Sequence, residues 1–167
     1  MALHVTLVPV GPVDAQALAA LEEDLLARGI RVAAAPARAL PPEARDPHRH
    51  QWRAAAVLAH AGRAPGERVL GVTEADLYAP GLNFVFGQAE SPGRSALVSL
   101  HRLRSGADPQ RFRERCLKEA LHELGHTFGL GHCPSDACLM QFSDSLEDTD
   151  RKPLAFCAAC GERATSL

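Results

Sequence analysis

Twelve consecutive residues, 122-HELGHTFGLGHC-133, constrain this chain more than any other part of it. Residues four apart on an α-helix share a face, so His122 and His126 stand about 6 Å apart along the axis and can aim both imidazoles at one point. Glu123 falls at the side of that face, where its carboxylate can reach a water on a bound metal without becoming a ligand. Gly129 permits the tight or left-handed turn that ends such a helix and returns His132 as a third nitrogen. Three nitrogens leave one position on a zinc ion open, and a water held there is acidified to a pKa of roughly 7. The spacing predicts a catalytic zinc site with His122, His126 and His132 as ligands and Glu123 as general base. A bare H-E-x-x-H is weaker evidence, because histidines on helices are commonly solvated or satisfied in a core; the added G-x-x-H carries the distinction.

The cysteines extend the same theme. Cys133 and Cys138 form one close pair and Cys157 and Cys160 another, separated by a loop of the size seen in four-cysteine structural zinc sites. Disulfides or unligated thiols are the alternatives that this spacing leaves. The stretch after His132 is too short to bury a core of its own, which favours a metal staple and an expectation of two Zn²⁺ per chain. Cys116 stands apart, and its simplest reading is a small buried apolar side chain.

Length and charge bound the rest. A chain of 167 residues with 46% apolar content fits one compact domain. The formal net charge of -2 gives no reason to expect nucleic acid or an anionic membrane as partner. Arg102, Arg104, Arg111, Arg113, Arg115 and Lys118 form a basic stretch, read here as a solvated face because acidic residues surround it. The opening MALHVTLVPVGPV lacks a charged start, and Pro9, Gly11 and Pro12 interrupt its apolar run. With an odd number of cysteines as well, the expected setting is the cytoplasm. Oligomeric state leaves no sequence signature, and a monomer is the default expectation.

Periodicity predicts a strand at 3–10, a helix at 14–29, a weaker strand at 30–40 and a second helix at about 50–62. Short strands follow at 68–73, 83–87 and 96–103, with turn chemistry between them. Asp108 as N-cap and Pro109 at the first helical position then start a long helix that runs to about 128. His48 and His50 fall in the proline-rich connection before the second helix and are read as exposed.

Taken together, the zinc motif, Cys133 directly after its third histidine, Cys138-Leu139-Met140, and Cys157-Ala-Ala-Cys160 resemble the archaemetzincin family of zinc metallopeptidases within the metzincin clan. The stretches 71-GVTEADLYAPGLNFVFGQA-89 and 97-LVSLHRL-103 are similar to that family's strand region. The resemblance implies an α+β fold: a mixed twisted sheet, an active-site helix beneath it, an N-terminal subdomain of about 1–131 and a small zinc-stapled C-terminal subdomain of about 132–167. It also implies that Met140 belongs to the Met-turn, an apolar floor under the three imidazoles. Finally, it implies that the segment Asn83, Phe84, Val85, Phe86 and Gly87 is the exposed sheet edge on which an extended peptide substrate pairs.

The function expected is peptide hydrolysis, with an aminopeptidase as one form of it. A free substrate amine needs an acidic or carbonyl anchor, for which Glu74, Asp76 and Glu90 are the candidates. Tyr78 is the only tyrosine and so the only phenol available to the transition state. Two rival readings are a zinc-stabilised module that binds peptides on the 83–87 edge without cutting them, and a zinc hydrolase acting on a non-peptide amide. The intact Glu123 argues against the first, since a binder has no use for a base beside an open metal position.

Overall fold

The computed structural model describes residues 2–167. Its centre is a five-stranded sheet in the order β2-β1-β5-β8-β7, built from β1 (His4–Val10), β2 (Arg31–Ala34), β5 (Arg68–Thr73), β7 (Gly87–Ala89) and β8 (Ser95–Ser99). All neighbours are parallel except β7, which closes one edge antiparallel to β8. A second, three-stranded sheet joins β3 (Arg45–Asp46), β4 (Gln51–Arg53) and β6 (Leu77–Tyr78).

Strand side chains alternate between two layers, as a period of two requires. Leu3, Val5 and Leu7, with Leu70, Val72, Ala96 and Val98, pack beneath α1 (Ala15–Ala27) and α3 (Pro109–Thr127) in the larger core. Val8, Val10, Val69 and Leu97 face the other way, against α2 (Ala54–Ala61). The sheet is therefore covered on both faces, as suits its mostly parallel pairing. Two short helices, α4 (Leu146–Arg151) and α5 (Ala158–Arg163), lie in the C-terminal stretch. No helix among the described residues is long and apolar enough to cross a membrane.

The expected strands at 3–10 and 68–73 and the helices at 14–29 and 109–128 are present, but four segments differ. The strand expected at 96–103 ends at Ser99, where His101 N–H turns back to Ser99 Oγ at 3.3 Å and Arg102–Arg104 form a 3-10 turn. The strand expected over 30–40 stops at Ala34, two residues before Pro36, which has no N–H to give a ladder; the chain rejoins only through Arg38, bridged to Val10. The helix expected from 50 begins at Ala54, because Gln51–Arg53 are held as a strand, with Trp52 N–H donating to Asp76 O at 2.8 Å. The edge strand expected at 83–87 lies instead at Gly87–Ala89. Asn83 to Val85 are drawn away by other partners: Arg49 and Gln51 side chains donate to Leu82 O and Asn83 O, and Val85 makes a single bridge to Leu77, while Phe86 O still accepts from Ser99 N–H at 2.8 Å.

The basic stretch is also not one solvated face. Arg115 and Lys118 are only 4% and 3% exposed. Arg115 pairs with Asp150 through two bonds of 2.7 Å, and Lys118 reaches Glu114 at 2.9 Å and the Thr149 and Asp150 carbonyls. Arg104 and Arg113 remain at the surface, paired with Glu74 and with Glu23 and Asp24.

Candidate active site

α3 starts where its caps dictate: Asp108 accepts from Arg111 N–H at 2.8 Å and Pro109 takes the first turn. It ends at Thr127, where Gly129 adopts a left-handed φ of +79° that a side chain would resist, and its N–H donates to His126 O at 2.8 Å. That turn carries the chain back to His132, and one ligand-type nitrogen from each of His122, His126 and His132 falls within 4.8 Å of the others.

The hydrogen bonds of the rings identify which nitrogens face inward. His122 Nδ1 lies 2.9 Å from Leu139 O and His126 Nδ1 lies 2.7 Å from Leu130 O. A carbonyl oxygen only accepts, so each Nδ1 carries the hydrogen and each Nε2 presents a lone pair. Those two Nε2 atoms are 3.2 Å apart. Facing lone pairs at that distance repel unless a cation lies between them, and two nitrogens held tetrahedrally by one zinc would be roughly 3.3 Å apart. Desolvation draws all three imidazoles below the ordinary histidine range, furthest for the buried His122, which favours the neutral form that a metal ligand needs. The donor set fits zinc.

Glu123 lies on the wall of the same cleft, a cavity of about 500 Å³. Burial, reinforced by the nearby Glu119, pushes its carboxyl well above the usual range, which suits a group that must hold a proton during a reaction cycle. The cleft is bounded above by the 82–89 segment, including Phe84, Phe86 and β7, and below by α3, with Phe142 at its mouth. Phe142 is 48% exposed and rests on the His132 ring at 4.9 Å between centroids.

Cys133, Cys138, Cys157 and Cys160 bring four sulfurs within 4.8 Å of one another, with Cys133 Sγ and Cys157 Sγ 3.9 Å apart. Tetrahedral thiolates at ordinary zinc distances would be separated by about 3.8 Å. The Cys160 backbone N–H draws the Cys157 thiol down to about 7, whereas burial pushes Cys160 up to about 12. Cys116 is buried in the main core, far from thiolate chemistry, its pKa raised to about 12 by burial. Met140 is fully buried, and its Sδ comes within 2.5 Å of where a Cβ on Gly125 would stand.

Other candidates fall elsewhere. Tyr78 does not line the cleft; its hydroxyl lies 3.4 Å from Asp46 and its ring lies under Arg49. Glu74 pairs with Arg104, Asp76 with Arg102, and Glu90 caps the Arg94 and Ser95 N–H groups. None of the three lines the cleft, whose acidic residues besides Glu123 are Glu119 and Asp144. Glu119 was legible in principle, since it precedes His122 by three and Glu123 by four on the same helix; Phe142 and Asp144 carry no local signal. His48 and His50 are exposed as expected.

The profile of peptidase family M54 matches residues 62–165, more than half of the chain. An archaemetzincin from Methanopyrus kandleri is 55% identical over 125 residues, covering 74% of this chain and 71% of that protein. One from Archaeoglobus fulgidus is 52% identical over 99 residues, covering 59% of this chain and 61% of that protein. The crystal structure of the Methanopyrus kandleri archaemetzincin superposes with a TM-score of 0.87 at 43% identity, covering 99% of this chain and 96% of that one. That of the Archaeoglobus fulgidus protein gives 0.88 at 36% identity, covering 96% and 99%. A zinc-dependent peptidase from Methanocorpusculum labreanum gives 0.82 at 31% identity, covering 95% and 98%. The chain belongs to peptidase family M54, the archaemetzincins, and is a zinc metallopeptidase.

Proposed function

We propose that His122, His126 and His132 hold the catalytic zinc, that Glu123 is the general base, and that an extended peptide is cleaved in the cleft beneath β7. The observation that carries this reading is the pair of Nε2 lone pairs 3.2 Å apart, with both Nδ1 hydrogens already given to carbonyl oxygens. When bound, zinc supplies Lewis acidity, polarising a carbonyl oxygen and acidifying water. Glu123 takes a proton from the attacking water on a carboxylate oxygen and delivers it to the leaving amine nitrogen. The edge strand offers main-chain pairing to any sequence in extended form. Cys133, Cys138, Cys157 and Cys160 hold a second, structural zinc, the staple of a C-terminal subdomain of about 132–167. Met140, buried against Gly125, the residue before His126, is the floor of the site.

An aminopeptidase would need its amine anchor at Glu119 or Asp144, and Glu119 is already neutralised by a lysine 2.8 Å away. Endopeptidase or exopeptidase action is separated by incubating the zinc-loaded protein with a mixed peptide library, with and without chelator. Metal analysis should find two zincs per chain, the three-nitrogen site emptying first and cleavage ceasing as it does. One zinc or none after zinc-replete expression, or cleavage that survives its removal, overturns the proposal.

Gly87 brings a second test. A Cβ there would stand 2.7 Å from Glu123 Cγ and 2.8 Å from its Oε1, and would also meet the backbone oxygen of Leu97. Gly87→Ala should displace the base or lift β7 from β8, lowering hydrolysis by up to about 10²-fold with zinc content unchanged. Wild-type turnover in a folded Gly87→Ala protein would show that Glu123 is not the base.

A further inference from the structure

Lys152 follows α4 as its C-cap, with its side chain sealed inside the protein, 1% exposed. Its Nζ lies 2.8 Å from Glu119 Oε1 and 3.5 Å from His122 Nδ1. Glu119 is itself 2% exposed and accepts a second bond from Thr149 Oγ1 at 2.9 Å. Removing both charges from water is costly, and apolar side chains of similar volume often serve stability as well or better. Stability alone gives no reason for a lysine and a glutamate at these positions.

Their placement does. Glu119 stands one helical turn before both His122 and Glu123 and lines the cleft with them. His122 Nδ1 has a single hydrogen, given to Leu139 O, so the ammonium adds no bond to the ring; it is a wall behind the imidazole, held there by Glu119. From Lys152 the chain runs to Ala155, whose carbonyl accepts from Leu139 N–H at 2.7 Å. A closed circuit results: α3 holds residues 149–152, these lead to Ala155, Ala155 holds Leu139, and Leu139 holds the ring of His122. Arg115 on Asp150, one turn earlier on α3, and Lys118, next to Glu119, on the Thr149 and Asp150 carbonyls fasten the same segment.

We propose that the Lys152–Glu119 pair is a positioning device for the peptidase site, fixing the back edge of His122 and the carbonyl that orients it so that Nε2 stays aimed at the point shared with His126 and His132. This rests on the three histidines being the catalytic zinc ligands. Both residues act through His122 and are positioning residues, not catalytic ones.

The test uses the full chain with zinc at the thiolates and cobalt exchanged into the more labile three-histidine site. Lys152→Met strands Glu119 and should lower both thermal midpoint and metal affinity. The combined Lys152→Met, Glu119→Leu protein removes both charges and should recover the midpoint. Its affinity at the histidine site should remain about tenfold or more below wild type, the scale of losing an outer partner of a ligating histidine. The visible cobalt spectrum should stay shifted, and kcat should fall with KM within about twofold, the pattern of a lost transition-state interaction. Recovery of affinity and spectrum along with the midpoint overturns the proposal, since the pair would then be structural only. If the double variant does not fold, Thr149→Val decides: it loosens Glu119 alone, so weaker metal binding with a changed cobalt spectrum supports the proposal and wild-type values overturn it. A wild-type cobalt spectrum that persists in His126→Ala would instead overturn the three-histidine reading itself.

Discussion

Glu123→Gln should leave two zincs per chain and lower peptide hydrolysis by roughly 10²-fold or more, the usual loss when a general base is removed. In barrier terms that is about 2.7 kcal/mol or more. The substitution keeps volume and shape, which matters because Glu123 is packed where a Cβ on Gly87 would collide with it. It removes the one function an amide cannot perform, holding a proton at neutral pH. The variant also relieves the repulsion between Glu123 and Glu119, two carboxylates one turn apart on a buried helix face. Folding stability should therefore hold or rise while turnover collapses. Thermal midpoint, metal content and hydrolysis of a peptide mixture measured on the same sample separate these effects. Turnover equal to wild type would mean that the activity belongs to another mechanism or to a contaminant. It would also revive the reading of the cleft as a peptide-holding groove.

What could be read from the sequence divides by the range of the interactions involved. α3 begins at Pro109 and ends at Thr127, close to the expectation, because Asp108, Pro109 and Gly129 are local signals acting within one turn. The three histidines converge because helical spacing and one glycine turn suffice to bring them together. The thiol cluster likewise follows from pair spacing. Failures occur where a distant partner decides. Phe84 and Phe86 alternate like a strand, yet Arg49 and Gln51, more than 30 positions earlier, hold the backbone at 82 and 83 and move the edge to Gly87–Ala89. Arg115 and Lys118 look like surface charges until Asp150 and the carbonyls of 149 and 150 close over them. Glu74, Asp76 and Glu90 are indistinguishable in sequence from a substrate anchor, and only their arginine and backbone partners reveal structural roles. Lys152 has no sequence signal at all, since a lysine after a short helix is ordinarily solvated.

Cys160→Ser should be the most damaging single substitution, because the C-terminal stretch has little else to hold it. Its own apolar cluster is Leu130, Cys138, Met140 and Ala164, α5 has no buried residue, and on the main core the stretch places only Leu139 fully buried, with Leu154, Phe156 and Leu167 half-buried against it. Structural zinc in small motifs contributes about 10 kcal/mol or more of apparent folding free energy, comparable to the whole stability of a domain at roughly 5–15 kcal/mol. The charged ties from Arg115, Lys118 and Glu119 anchor residues 149–152 to α3 independently of the thiolates. Loss of the fourth thiolate should therefore free 132–141 and 153–167 while α4 stays docked. The damage should still reach the catalytic metal. Cys133 N–H donates to Met140 O at 2.9 Å, His132 is the residue before Cys133, and Leu139, which orients His122, depends on Ala155. Zinc content should fall toward zero and the protein should aggregate, whereas Cys116→Ser, in the main core and remote from both clusters, should retain both ions. Hydrogen exchange would locate the change: new exposure at 132–141 and 153–167 with α3 and 146–152 still protected. A folded Cys160→Ser protein with full zinc at the three histidines would show that the charged ties alone support the active site.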